Sequence, residues 1–222
     1  MMLGLATVNA NGQDQTAMPV IEQSVLQEFL VAARANDTNR LIAGLESGVP
    51  VDSNDASGRT ALMIATHANA IDAAQVLIEA GADVNAKDQL QDSPYLYAGA
   101  EGRLEILKMT IAAGADLKAV NRYGGTALIP AAHHGYVEVV RYLLTTKTDI
   151  DYVNFLGWTA LLEAVILGDG GPIYQEIVDL LLKAGAETSI GDKEGVTALD
   201  HARSRGQTEI ARLLEKAAEK RD

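Results

Sequence analysis

Apolar positions along the chain fall into short runs that recur with one spacing. Each run opens on a small hydroxyl residue: Thr60 in "GRTALMIA", Ser93 in "QDSPYLYA", Thr126 in "GGTALIPA", Thr159 in "GWTALLEA" and Thr197 in "GVTALDHA". The successive spacings are 33, 33, 33 and 38 residues. A second ladder keeps step with the first, through Gly48, Gly81, Gly114, Lys147 and Gly185 in segments such as "AGADVNAKD" and "AGADLKAVN". Two marks in register over most of the chain identify an internal repeat, and periods of this length mean a stacked array.

Each unit parses into the same elements. The Thr or Ser is a preferred N-cap, whose oxygen accepts a free amide of the first turn, and Pro94 follows Ser93 where a missing N–H does no harm. The first helix then carries a Leu and an Ala three apart on its inner face, as in Leu62 with Ala65, Leu128 with Ala131 and Leu161 with Ala164. Asn69, Gly102, Gly135, Gly168 and Gly206 stand where a helix end favours a left-handed residue. A second amphipathic helix follows, as in "YVEVVRYLLTT" and "YQEIVDLLLKA", and ends at the glycine ladder. Asp55, Asp88, Asn121, Asn154 and Asp192 open a turn that leads into the next cap.

Together these marks give an all-α repeat solenoid of helix-turn-helix units joined by hairpin loops. They resemble the ankyrin-repeat family. The resemblance rests on T-A-L and S-P-Y variants of that family's T-P-L-H, on "GADVNAKD", and on the 33-residue step, from about Ser24 to Lys220. It implies six repeats, near 24–54, 55–87, 88–120, 121–153, 154–191 and 192–222, in one domain over 21–222. The degenerate first repeat and the charged second helix of the last suit the ends of a stack, which face water on one side. Three departures stand out: Lys147 replaces the helix-ending glycine, Tyr95 and Leu96 replace the usual Leu-His pair, and "DGGPI" is inserted at Asp169–Ile173.

Composition narrows the function. The 222 residues include no Cys, which removes disulfides, thiolate chemistry and Cys-based metal sites. A formal charge of −12 repels phosphate backbones and anionic lipid, so no nucleic acid is expected as a partner. No apolar run is long enough for a membrane span. Residues 1–20 differ from the rest: a short apolar start, small residues at Val8 and Ala10, then a polar tract. They fit either the end of a secretory leader cleaved after Ala10 or an ordinary flexible terminus; the first basic residue is Arg34. The first reading places the protein in the periplasm or outside the cell, the second in the cytoplasm.

The resemblance further implies a curved stack that binds a protein through its concave side, as a monomer, without catalysis and without a cofactor. Its recognition positions are the hairpin tips, the residue before the cap, and the end of the first helix. In the fourth and fifth repeats these are Arg122, Tyr123, His133, His134, Phe155, Leu156, Trp158, Ile166 and Leu167. The only Trp and one of two Phe therefore fall on a single turn, "NFLGWT". That turn is either an exposed binding hot spot or a set of side chains folded back between repeats.

A second function class uses the insertion at 168–174 with His133 and His134 as an enzymatic or small-ligand site. Adjacent histidines point about 100° apart on a helix, so they cannot ligate one metal as an i, i+4 pair would. The "GDGGP" loop lacks the G-x-x-x-x-G-K-[ST] pattern and a preceding strand, so it does not read as a phosphate cradle.

Overall fold

The computed structural model describes residues 23–219; the segment read as a leader or flexible terminus lies outside them. Twelve α-helices occur among the described residues, in six antiparallel pairs: α1 (Gln23–Arg34) with α2 (Thr38–Glu46), α3 (Ala61–Ala68) with α4 (Ile71–Glu79), α5 (Pro94–Ala100) with α6 (Leu104–Ala112), α7 (Leu128–His133) with α8 (Val137–Leu143), α9 (Ala160–Ile166) with α10 (Pro172–Lys183), and α11 (Ala198–Ser204) with α12 (Thr208–Ala218). Odd-numbered helices stack on one another in one layer, and even-numbered helices in a second. The all-helical repeat solenoid expected from the sequence is the fold.

The core is one apolar seam between the layers, continuous from Phe29 to Leu214. First helices are packed on nearly all sides, so α3 buries Ala61 through Thr66 and α9 buries Ala160 through Val165. Alanine and glycine on their flanks permit this crowding. A Cβ at Gly99 would stand 2.7 Å from the Ala127 Cβ, which shows how closely the third repeat approaches the fourth. The Tyr95 and Leu96 departure is absorbed in the same core, where both side chains are buried.

Caps follow the sequence at four of five positions. Thr60, Ser93, Thr159 and Thr197 each accept an N–H from the residue three further on, and Thr197 forms a capping box with Asp200. Thr126 does not cap. Pro130 has no N–H to give the Thr126 carbonyl, so Ile129 bonds that oxygen instead, α7 begins only at Leu128, and the buried Thr126 Oγ1 has no hydrogen-bond partner among the described residues.

Two helix exits also differ from expectation. Asn69, Gly102, Gly135 and Gly206 are left-handed as expected, but Gly168 is not, and Gly170 takes the positive φ of the inserted loop. Glycine is required at 168 for space: a Cβ there would lie 2.3 Å from the Ala164 carbonyl oxygen and 2.4 Å from the Tyr174 ring. Lys147 is not left-handed either. The chain leaves α8 through successive tight turns, Thr145 N–H to the Tyr142 carbonyl and Thr146 N–H to Leu143, while the Thr146 hydroxyl also donates to Leu143.

Candidate functional site

The hairpin turns place the site. In each, the carboxylate or amide oxygen of the opening residue accepts two backbone N–H groups: Asp88 from Leu90 and Asp92, Asn121 from Tyr123 and Gly125, Asn154 from Leu156 and Trp158. This fixes the same outward position in successive repeats. Leu90, Tyr123 and Leu156 occupy it in the third, fourth and fifth, and they are 57%, 55% and 47% exposed. Ser57 and Glu194 occupy it on either side. The row is therefore apolar in the middle and polar at both ends.

Behind that row lies a cavity of about 490 Å³, walled by hairpins and first helices of the second to fifth repeats, with no residue from a second helix. Of the residues singled out from the sequence, Arg122, Tyr123, His133, His134, Leu156 and Leu167 line it. Phe155, Trp158 and Ile166 do not. Phe155 lies over Gly124 of the preceding tip, with its N–H bonded to the Tyr123 carbonyl at 3.0 Å, and is still 67% exposed. Trp158 and Ile166 are partly buried against the core. None of residues 168–174 lines the cavity; the loop is tied down instead, with the Gly168 carbonyl accepting from Gln207 and the Tyr174 hydroxyl donating to the His133 carbonyl.

Lining residues not singled out from the sequence include Tyr97, Ile129, Pro130 and Glu163. Glu163 differs most from its surroundings, since it is only 6% exposed and ionisable. It stands where the other repeats carry Ile64, Tyr97, Pro130 and His201, so a carboxylate out of register in "TALLEA" was the available signal. Asn154 Nδ2 donates to Glu163 Oε1 at 2.9 Å, and Oε2 faces His133 Nδ1 at 3.7 Å, beyond hydrogen-bonding distance.

Burial dominates the electrostatics here. It pushes the Glu163 carboxyl above the usual carboxylate range, with the Asn154 bond acting in opposition. Burial, reinforced by His134, holds the His133 imidazole below its ordinary value, and His67 is lowered chiefly by burial as well. Burial also raises Asp92, against the pull of Arg122 at 3.3 Å. His134 is fixed by its Nδ1–H donating to the Ala100 carbonyl at 2.8 Å. The two imidazole rings lie 4.5 Å apart and tilted by 51°, and among the described residues no three acidic or histidine side chains gather closely enough to hold a metal ion.

The family model described as "Ankyrin repeats (3 copies)" matches residues 9–88 and 95–192. The chain belongs to the ankyrin-repeat family. An ankyrin repeat domain from Acinetobacter baumannii AYE, known from a crystal structure, is 58% identical and superposes with a TM-score of 0.83, covering 86% of this chain and 97% of that one. The ankyrin repeat protein EF0377 is 46% identical with a TM-score of 0.82, over 86% of this chain and 97% of its own. A putative ankyrin repeat protein of Escherichia coli (strain K12), YahD, is 54% identical over 52 residues, which are 23% of this chain and 26% of YahD. Ankyrin repeats generally mediate protein–protein interaction as non-catalytic scaffolds. Among the described residues, no helix of this ankyrin-repeat chain is long and apolar enough to cross a membrane.

Proposed function

We propose that this chain is a monomeric, non-catalytic binding module that seats a protein partner in the groove of the third to fifth repeats, against the tips of Leu90, Tyr123 and Leu156. The observation that carries this reading is the exposed apolar row of those three side chains, flanked by Ser57 and Glu194. Neighbouring packed helices are about 8–10 Å apart, so tips one repeat apart form a ladder that an extended segment of another protein can follow. Exposed apolar side chains beside a concave wall gain free energy when a partner covers them.

A photo-crosslinking residue placed at Leu156 in the native host tests this, with Gln75 on the second-helix layer as the comparison position. Leu156 should give one discrete protein adduct that Gln75 does not give. The same adducts from both positions, or none from Leu156, would remove the groove from the reading.

A further inference from the structure

Glu163 has no role in building the turn that it touches. Asn121 opens the fourth hairpin with the same pair of backbone bonds although Pro130, not an acid, stands opposite it. Burying an ionisable residue to 6% exposure costs free energy that Tyr97 or Ile64, at the same register, does not incur. One oxygen of that carboxylate is answered by Asn154, and among the described residues the other receives no hydrogen bond. It borders an open groove.

The charges around it select the complement. Among the described residues, Asp88, Asp92, Glu101 and Glu163 all line the groove, against one permanent cation, Arg122, which is already engaged with Asp92 at 3.3 Å. The chain as a whole carries −12. A low-dielectric concave wall of one sign focuses its field on an incoming opposite charge. The approach is lined by Tyr123, Ile129, Leu156 and Leu167, which suit the aliphatic stem of a long basic side chain.

Resting on the docking reading above, we infer that the partner segment presents an arginine or lysine whose cationic head pairs with Glu163 at the wall of the groove. A free amine would share the chemistry of that contact. A polypeptide fits better, because the ladder from Leu90 to Leu156 spans three repeats and a small amine would leave most of it uncovered. The pairing forms a charge-assisted bond to the open carboxylate oxygen, and in a desolvated site such bonds exceed neutral ones in strength.

The test pans a random twelve-residue peptide library against the full chain, then measures selected peptides by fluorescence polarisation on wild type, Glu163→Gln, and a Tyr123→Ala, Leu156→Ala double variant. Selected peptides should share an Arg or Lys. Glu163→Gln should weaken them by about tenfold or more, and replacing the peptide's Arg by citrulline should do the same on wild type but add little on Glu163→Gln. The citrulline arm leaves the protein unaltered, so it reads out even if a protein variant folds poorly. Peptides without basic residues, peptides indifferent to Glu163, or no binders at all would overturn the inference. Binders that need Tyr123 and Leu156 but not Glu163 leave the docking reading standing, whereas binders indifferent to all three remove both. Arginine amide that binds as tightly as the peptides would identify a small amine as the occupant and overturn the polypeptide.

Discussion

Asn154 donates from Nδ2 to Glu163 Oε1 at 2.9 Å, nine residues further along the chain, and in the next repeat the same register brings His201 Nε2 to Asp192 Oδ2 at 2.7 Å. The residue that opens the hairpin is matched to what it faces: an amide opposite a carboxylate, a carboxylate opposite an imidazole. Either Asn or Asp can make the turn itself, as Asp55 opposite Ile64 and Asn121 opposite Pro130 do, so the matching in these two repeats comes from the side chain across the repeat and not from the turn.

Asn154→Asp should therefore destabilise the chain by about 2 kcal/mol at neutral pH, since it sets a second carboxylate against Glu163 and removes a donor. Asn121→Asp, opposite Pro130, keeps the same turn and should cost little. The Asn154→Asp deficit should shrink on acidification, because a shared proton relieves two adjacent carboxylates. Denaturant titrations of both variants at neutral and mildly acidic pH check this; equal losses would refute the matching.

Glu163→Gln should raise the melting temperature at neutral pH. Burial raises the folded-state carboxyl above its unfolded value, so the native state binds the extra proton and wild-type stability falls as pH rises through that window. The variant lacks this penalty. Its advantage should fade as pH drops below the ordinary carboxylate range, where wild-type Glu163 is protonated in both states. A constant advantage at all pH values would point to packing instead.

Trp158→Ala should cost about 3 kcal/mol of unfolding free energy, because the indole is partly buried against the core. Phe155→Ala, on the same turn but 67% exposed, should cost less than about 1 kcal/mol. Chemical denaturation monitored by circular dichroism distinguishes them, and similar losses for the two would mean that the turn acts as one packed unit.

Lys147→Gly should lower stability by roughly 0.5–1 kcal/mol, the usual entropic cost of a glycine that gains nothing from a left-handed backbone. The same substitution would stabilise a chain that held Lys147 at positive φ, as Gly48, Gly81, Gly114 and Gly185 are held at the equivalent position. A higher unfolding midpoint would show that α8 ends like its neighbours.

The sequence by itself determined the repeat, its period and the order of its elements, because those are written in local chemistry. A Thr beside a free amide, an Asp or Asn folding onto the backbone two residues on, and a Gly at a left-handed exit each act within a few residues of themselves, and repetition makes the signal additive. Only the tertiary structure decided what depends on neighbours in other elements. Gly168 is held to glycine by the Tyr174 ring of α10 together with the Ala164 carbonyl rather than by its own φ; Trp158 packs against the core while Phe155, three residues earlier, remains exposed. Glu163 is the clearest case. Its position follows from the repeat, but its burial, its bond to Asn154 and its place on the groove come from stacking one repeat on the next, and long-range packing of that kind leaves no periodic mark in the chain.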